Sequence, residues 1–198
     1  MGKIGMKQNK LVIAITGLIG SGKSFLMQIL KEYGEICISC DEINRELLNT
    51  PEYLEGLKKL FPEAFVSGKF EKEILKNLIF TSEKKRKILN NYAHSKIKYE
   101  LQKRINIYDN VERIFVEIPI LNQTDFIEMF DKIIVVKADR NLLLSRIKSR
   151  DKVGEDRALS MLDAQCDQYN FTVPTISIFN NGDKNVLQQQ LEKILNNG

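Results

Sequence analysis

The chain has 198 residues, 43% of them apolar, and a formal charge of +4. That composition suits one globular domain with a sizeable core, and the mild charge favours anionic ligands without demanding nucleic acid. No apolar run approaches the ~20 residues of a membrane span, residues 1–10 lack the apolar stretch of a secretory signal, and Met6 stands where a myristoylation signal needs Ser or Thr. The expectation is a cytoplasmic protein with no nucleic-acid or membrane partner; the oligomeric state is left open.

Leu11–Thr16 is an apolar run rich in branched residues and reads as a buried strand. It leads directly into Gly17-Leu18-Ile19-Gly20-Ser21-Gly22-Lys23-Ser24, the G-x-x-x-x-G-K-S pattern of a phosphate-binding loop, with a helical pattern after it. The glycines let the backbone fold tightly, so that successive N–H groups point at phosphate oxygens. The following helix adds its positive end. Lys23 is placed to reach the β- and γ-phosphates, and the Ser24 hydroxyl to ligate Mg²⁺. Gly17, Gly20, Ser21, Gly22, Lys23, Ser24 and Phe25, with Arg146 from a later helix, are the expected contacts to ATP.

Residues 24–33 carry Leu26, Ile29, Leu30 and Tyr33 at helical spacing, and Gly34 ends that helix. Residues 35–39 read as a second strand and residues 42–48 as a helix. Asp41 falls just past the strand, on the sheet edge that carries Lys23. A carboxylate there is a candidate base for a hydroxyl aimed at the γ-phosphate, with a helix N-cap as the structural alternative. Cys37 and Cys40 form a C-x-x-C. Only Cys166 and His94 remain to complete a zinc set, without paired spacing, so Cys37 and Cys40 read as small buried residues beside a site.

From 50 to 107 the pattern is helical. Pro51 and Pro62 punctuate it, Ser67-Gly68 reads as a turn, and helices are expected over 71–78 and 82–107. This is too long for a plain crossover between strands. It reads as an inserted lobe at the strand ends, where open α/β sheets bind substrates. Lys84-Lys85-Arg86-Lys87 reads as a solvated helix face, and His94, alone in the lobe, as structural by position.

Residues 113–118 form the third strand. Its Glu117 is a candidate carboxylate near Mg²⁺; an exposed strand-end Glu is the alternative. Residues 131–137 form the fourth, and Asp139 is placed to cap the next helix. Arg146 and Arg150 are four apart, hence on one helix face. Residues 151–156 read as a mobile loop from which Arg150 would swing onto the transferring phosphates. Surface ion pairs are the alternative for Arg146, Arg150 and Arg157. A helix to about residue 168, a fifth strand over Thr175–Phe179 and a closing helix over 186–195 complete the chain. The alternation gives an α/β, P-loop kinase fold: a five-stranded parallel sheet flanked by helices, with an inserted helical lobe and a lid. The expected division is a core of 10–49 and 108–198, a lobe of about 50–107 and a lid of about 146–168.

The motifs in order carry a resemblance. After the phosphate-binding loop come Ser39-Cys40-Asp41 with Arg45, Pro119-Ile120-Leu121, Arg146 with Arg150-Asp151, Gln165, and Ile178-Phe179-Asn180-Asn181-Gly182. From about Leu11 to Gly182 this set resembles the dephospho-coenzyme A kinase family. The resemblance implies transfer of the ATP γ-phosphoryl group to the ribose 3′-hydroxyl of dephospho-coenzyme A. It implies Asp41 as base, Arg150 from the lid, and Arg45, Lys72 and His94 on the acceptor side. Ser39, Lys72, Ser95 and Gln123 depart from the family pattern and mostly touch that side. A nucleoside or nucleotide kinase, and a nucleotide-dependent switch, are the competing readings.

Overall fold

The computed structural model describes residues 10–196 except 120, 122, 123, 125, 166–168 and 170. Gln123, Cys166, Ile120 of the Pro119 turn and the end of the helix expected to reach residue 168 lie outside the described residues. The chain divides into two compact units, Met1–Ser39 with Tyr108–Gly198, and Cys40–Ile107.

The first unit is built on five parallel strands: β1 (Leu11–Thr16), β2 (Ile36–Ser39), β5 (Arg113–Glu117), β6 (Lys132–Lys137) and β7 (Thr175–Phe179), in the order β2-β5-β1-β6-β7. The inner strands are apolar along their length because helices cover both faces; Ala14, Ile15, Phe115, Ile133 and Ile134 are fully buried. Helices α1 (Lys23–Glu32) and α8 (Lys184–Asn196) supply Leu26, Ile29, Leu30, Leu187 and Leu191 to one core cluster with Ile13, Ile15, Phe115 and Ile178. Helices α6 (Arg140–Asp151) and α7 (Glu155–Asp163) form a second, in which Leu143, Ile147, Ala158 and Leu162 pack with Leu18 and Ile19 of the phosphate-binding loop. The register aligns Ile15 and Ser39 with Glu117, and Thr16 with Val135. The carboxyl ends of four strands therefore share the edge at which open α/β sheets hold ligands.

The second unit contains α2 (Cys40–Leu47), α3 (Pro51–Leu60), a hairpin of β3 (Phe65–Val66) and β4 (Lys69–Phe70), α4 (Lys72–Thr81) and α5 (Glu83–Ile107). Tyr53, Leu57, Phe61, Ala64 and Leu75 form its core. Helix α5 packs on α2 and α4 and buries Ile97, Leu101 and Ile105.

The Ser67-Gly68 turn is present as expected and closes a hairpin, both residues having positive φ (50° and 81°) as a tight two-residue connection requires. Three local expectations are corrected. Helix α2 begins at Cys40, so Asp41 is its second residue and not its N-cap. The loop expected over 151–156 shrinks to Lys152, Val153 and Gly154 between α6 and α7. Asp139 occupies the cap position of α6 without a side-chain cap bond; its own N–H donates to Asn181 Oδ1 at 3.0 Å. Among the described residues, no helix is long and apolar enough to cross a membrane.

Candidate active site

The loop between β1 and α1 is held peptide by peptide. Lys23 Nζ donates to the carbonyl oxygens of Gly17 (2.8 Å) and Leu18 (3.0 Å). The Ser21 N–H donates to Leu18 O at 3.1 Å. The Ile19 N–H donates to Gln165 Oε1 at 2.7 Å. Arg146 donates to Gly20 O (3.2 Å) and to Asn180 O (3.0 Å), and Asn180 Nδ2 donates to Ser21 O at 2.8 Å. Desolvation lowers the Arg146 guanidinium from its usual value, in keeping with a side chain drawn inward onto carbonyls. Two of the loop glycines are obligatory. A Cβ on Gly17 (φ +148°) would sit 2.2 Å from Val136 O, and one on Gly22 (φ +93°) 2.0 Å from Asn180 Nδ2.

The loop runs into the N-terminus of α1 at Lys23, and a helix N-terminus is receptive to anions. Thr16 Oγ1 and Ser21 Oγ, buried on either side of Gly17, have no hydrogen-bond partner among the described residues. The Ser24 hydroxyl donates to Glu117 Oε1 at 2.9 Å. Glu117 is buried at the end of β5, so the reading of an exposed strand-end carboxylate is set aside. A hydroxyl and a carboxylate held together are oxygen ligands of the type Mg²⁺ takes. The residues present fit that ion.

Arg150, at the end of α6, is exposed and forks onto Asp151 (Nε–Oδ1 2.9 Å, Nη2–Oδ2 2.8 Å). The pairing raises the guanidinium and lowers the Asp151 carboxyl from their usual values. Arg157 is exposed on α7 and Phe25 is partly exposed on α1, its ring 6.0 Å from Lys184 Nζ. Asp41 and Arg45 lie one turn apart on α2, both exposed. Lys72 opens α4, and His94 is half-buried on α5. These four belong to the second unit, whereas the loop, Glu117, Arg146 and Arg150 belong to the first.

A sequence model of the family described as Dephospho-CoA kinase matches residues 11–185. The chain belongs to the dephospho-CoA kinase family. It is 31% identical over 160 residues to the dephospho-CoA kinase of Campylobacter jejuni, covering 77% of this chain and 79% of that one. It is 30% identical over 191 residues to that of Oceanobacillus iheyensis, covering 93% and 96%. Among solved structures, a Thermus thermophilus protein superposes with a TM-score of 0.82 at 25% identity, over 95% of this chain and 97% of that one. A dephospho-CoA kinase from Campylobacter jejuni gives 0.65 at 27% identity, over 93% and 95%.

Within this dephospho-CoA kinase family member, two residues outside the expected nucleotide contacts reach the loop, Gln165 and Asn180. Both stand in the motifs that carry the resemblance. Neither has local chemistry that separates a loop brace from a turn residue, since Asn after a strand is also an ordinary turn signal.

Proposed function

We infer that the protein transfers the γ-phosphoryl group of ATP to the ribose 3′-hydroxyl of dephospho-CoA, giving CoA and ADP. The observation that carries this is the family match spanning nearly all of the described chain, with the phosphate-binding loop folded at the shared carboxyl ends of the strands. In the reaction the 3′-oxygen forms a bond to the γ-phosphorus, the bond from that phosphorus to the β–γ bridging oxygen breaks, and ADP leaves with the electron pair.

The chain's own residues have these proposed roles. The loop amides from Gly20 to Phe25 and the Lys23 ammonium hold the phosphates, an electrostatic task that dominates phosphoryl transfer. Ser24 and Glu117 would hold Mg²⁺, which when bound supplies positive charge to the phosphate oxygens. Asp41 accepts the 3′-hydroxyl proton. Arg150, in the segment of about 146–168 read as the lid, exchanges Asp151 for phosphate oxygen; the pair is solvent-accessible, and such an ion pair is worth ~0–1 kcal/mol and yields readily. Arg45, Lys72 and His94 serve the acceptor.

The test is an acceptor panel with ATP and Mg²⁺. Dephospho-CoA should be used with a kcat/KM far above any nucleoside or nucleotide. Preference for a nucleoside would overturn the acceptor assignment while leaving the loop chemistry in place.

A further inference from the structure

The Asn180-Asn181-Gly182 segment after β7 has no part in the chemistry above, yet Asn180 is 5% exposed and reaches the loop. We propose that Asn180 is a positioning residue for phosphate binding: its carboxamide fixes the Ser21–Gly22 peptide so that the Gly22 N–H faces the nucleotide phosphates. This rests on the reading of the loop as the ATP site.

The C=O and N–H of a trans peptide point in opposite directions. Asn180 Nδ2 holds Ser21 O at 2.8 Å, so the Gly22 N–H in the same peptide is turned away from Asn180. The carboxamide is itself mounted rigidly. The Asn180 N–H donates to Lys137 O at 2.8 Å, and its carbonyl accepts from Arg146 at 3.0 Å. The other arm of Arg146 holds Gly20 O at 3.2 Å. By the same planarity, that bond turns the Ser21 N–H the other way, onto Leu18 O. Strand β7, helix α6 and the loop are thus joined through one buried amide.

The approach is close enough to dictate the neighbouring residue. A Cβ on Gly22 would stand 2.0 Å from Asn180 Nδ2 and 3.3 Å from its Cγ. Gly22 is therefore required twice, by its φ of +93° and by the room Asn180 occupies. The peptide at stake opens α1, where an oriented N–H adds to the positive end of the helix. An amide held in place before the nucleotide arrives needs no reorganisation when the charge develops.

Asn180→Asp keeps the shape and replaces the donor with a carboxylate oxygen facing Ser21 O. Asn180→Ala removes the donor without adding charge and leaves both backbone bonds of residue 180. Titration calorimetry with ADP should show each folded variant binding about tenfold more weakly than wild type. The KM for ATP should rise in parallel while the KM for dephospho-CoA stays constant. A merely structural role would lower the folded fraction, hence kcat, and leave both KM values where they were. Wild-type ADP affinity in either folded variant overturns the proposal. The ADP titration uses no acceptor, so a wild type that binds ADP but ignores dephospho-CoA counts against the acceptor assignment alone.

Discussion

The Ser24 hydroxyl donates to the Glu117 carboxylate across 2.9 Å, joining the first turn of α1 to the end of β5. The two residues are far apart in sequence, and register brings them together. Ile15 and Glu117 are partners on adjacent strands, and the loop after β1 returns the chain to the same edge. Glu117→Gln keeps the shape and removes the charge. The Mg²⁺ concentration for half-maximal rate should rise and kcat fall, each between about tenfold and a hundredfold. A Mg²⁺ titration of initial rates, with the thermal midpoint measured beside it, checks this.

Asp41 is exposed in the first turn of α2, where its charge also meets the helix N-terminus. Asp41→Asn should lower kcat by about 10²–10⁴-fold, the range of a lost general base. It should leave ADP affinity unchanged and change stability by no more than about 1 kcal/mol. Lys23→Ala differs in kind, because it removes the proposed phosphate contact and releases the Gly17 and Leu18 carbonyls; ADP affinity should fall in that variant. Parallel ADP titrations and single-turnover rates separate the two.

The strands of the sheet were legible because each is a short apolar run bounded by turn residues, and burial on both faces leaves nothing else to read. The hairpin was not, because Phe65–Val66 and Lys69–Phe70 are too short to show a period of two. The start of α2 is hidden in the sequence because strand and helix follow one another directly at Ser39 and Cys40, while Asp41-Glu42 imitates a cap followed by a first turn. In the candidate site, Lys23, Ser24 and the glycines fall within one local motif that the sequence displays. The braces from Gln165 and Asn180 were not legible, because they act on residues 146 and 159 positions away. No sequence period records such pairings; only the fold does.

Cys37 lies in β2, half-buried, with Sγ 3.7 Å from Met27 O. Desolvation pushes its thiol from 9.0 up to about 11. The folded state holds the proton more tightly than the unfolded chain, so this stabilising contribution is full below pH 9 and is lost as the pH rises through about 11. At pH 8 the thiolate fraction of Cys37 should be about a hundredfold below that of the unfolded chain. Alkylation followed by peptide mass mapping should show Cys37 protected in the native protein and rapidly modified in denaturant.

Gly56 sits inside α3, where alanine is ordinarily the better residue by about 1 kcal/mol. A Cβ there would stand 2.0 Å from Tyr92 Oη and 2.6 Å from its Cζ. Tyr92 packs its ring 5.0 Å from that of Tyr53 and donates its hydroxyl to Tyr53 O at 2.9 Å. Displacing a packed ring costs about 1–3 kcal/mol, so Gly56→Ala should destabilise despite the gain in propensity. The cost should shrink in a Tyr92→Phe background, where the closest atom is gone. Thermal unfolding of the two single variants and the double variant reads the coupling.

The most direct measurement is the identity of the product. Purified protein is incubated with ATP, Mg²⁺ and dephospho-CoA, and the mixture is resolved against authentic CoA by chromatography and mass spectrometry. A species one phosphate heavier than dephospho-CoA that coelutes with CoA, with ADP formed in equal amount, is the expected result. ADP formed without that species, or a phosphorylated product that separates from CoA, would contradict transfer to the ribose 3′-hydroxyl.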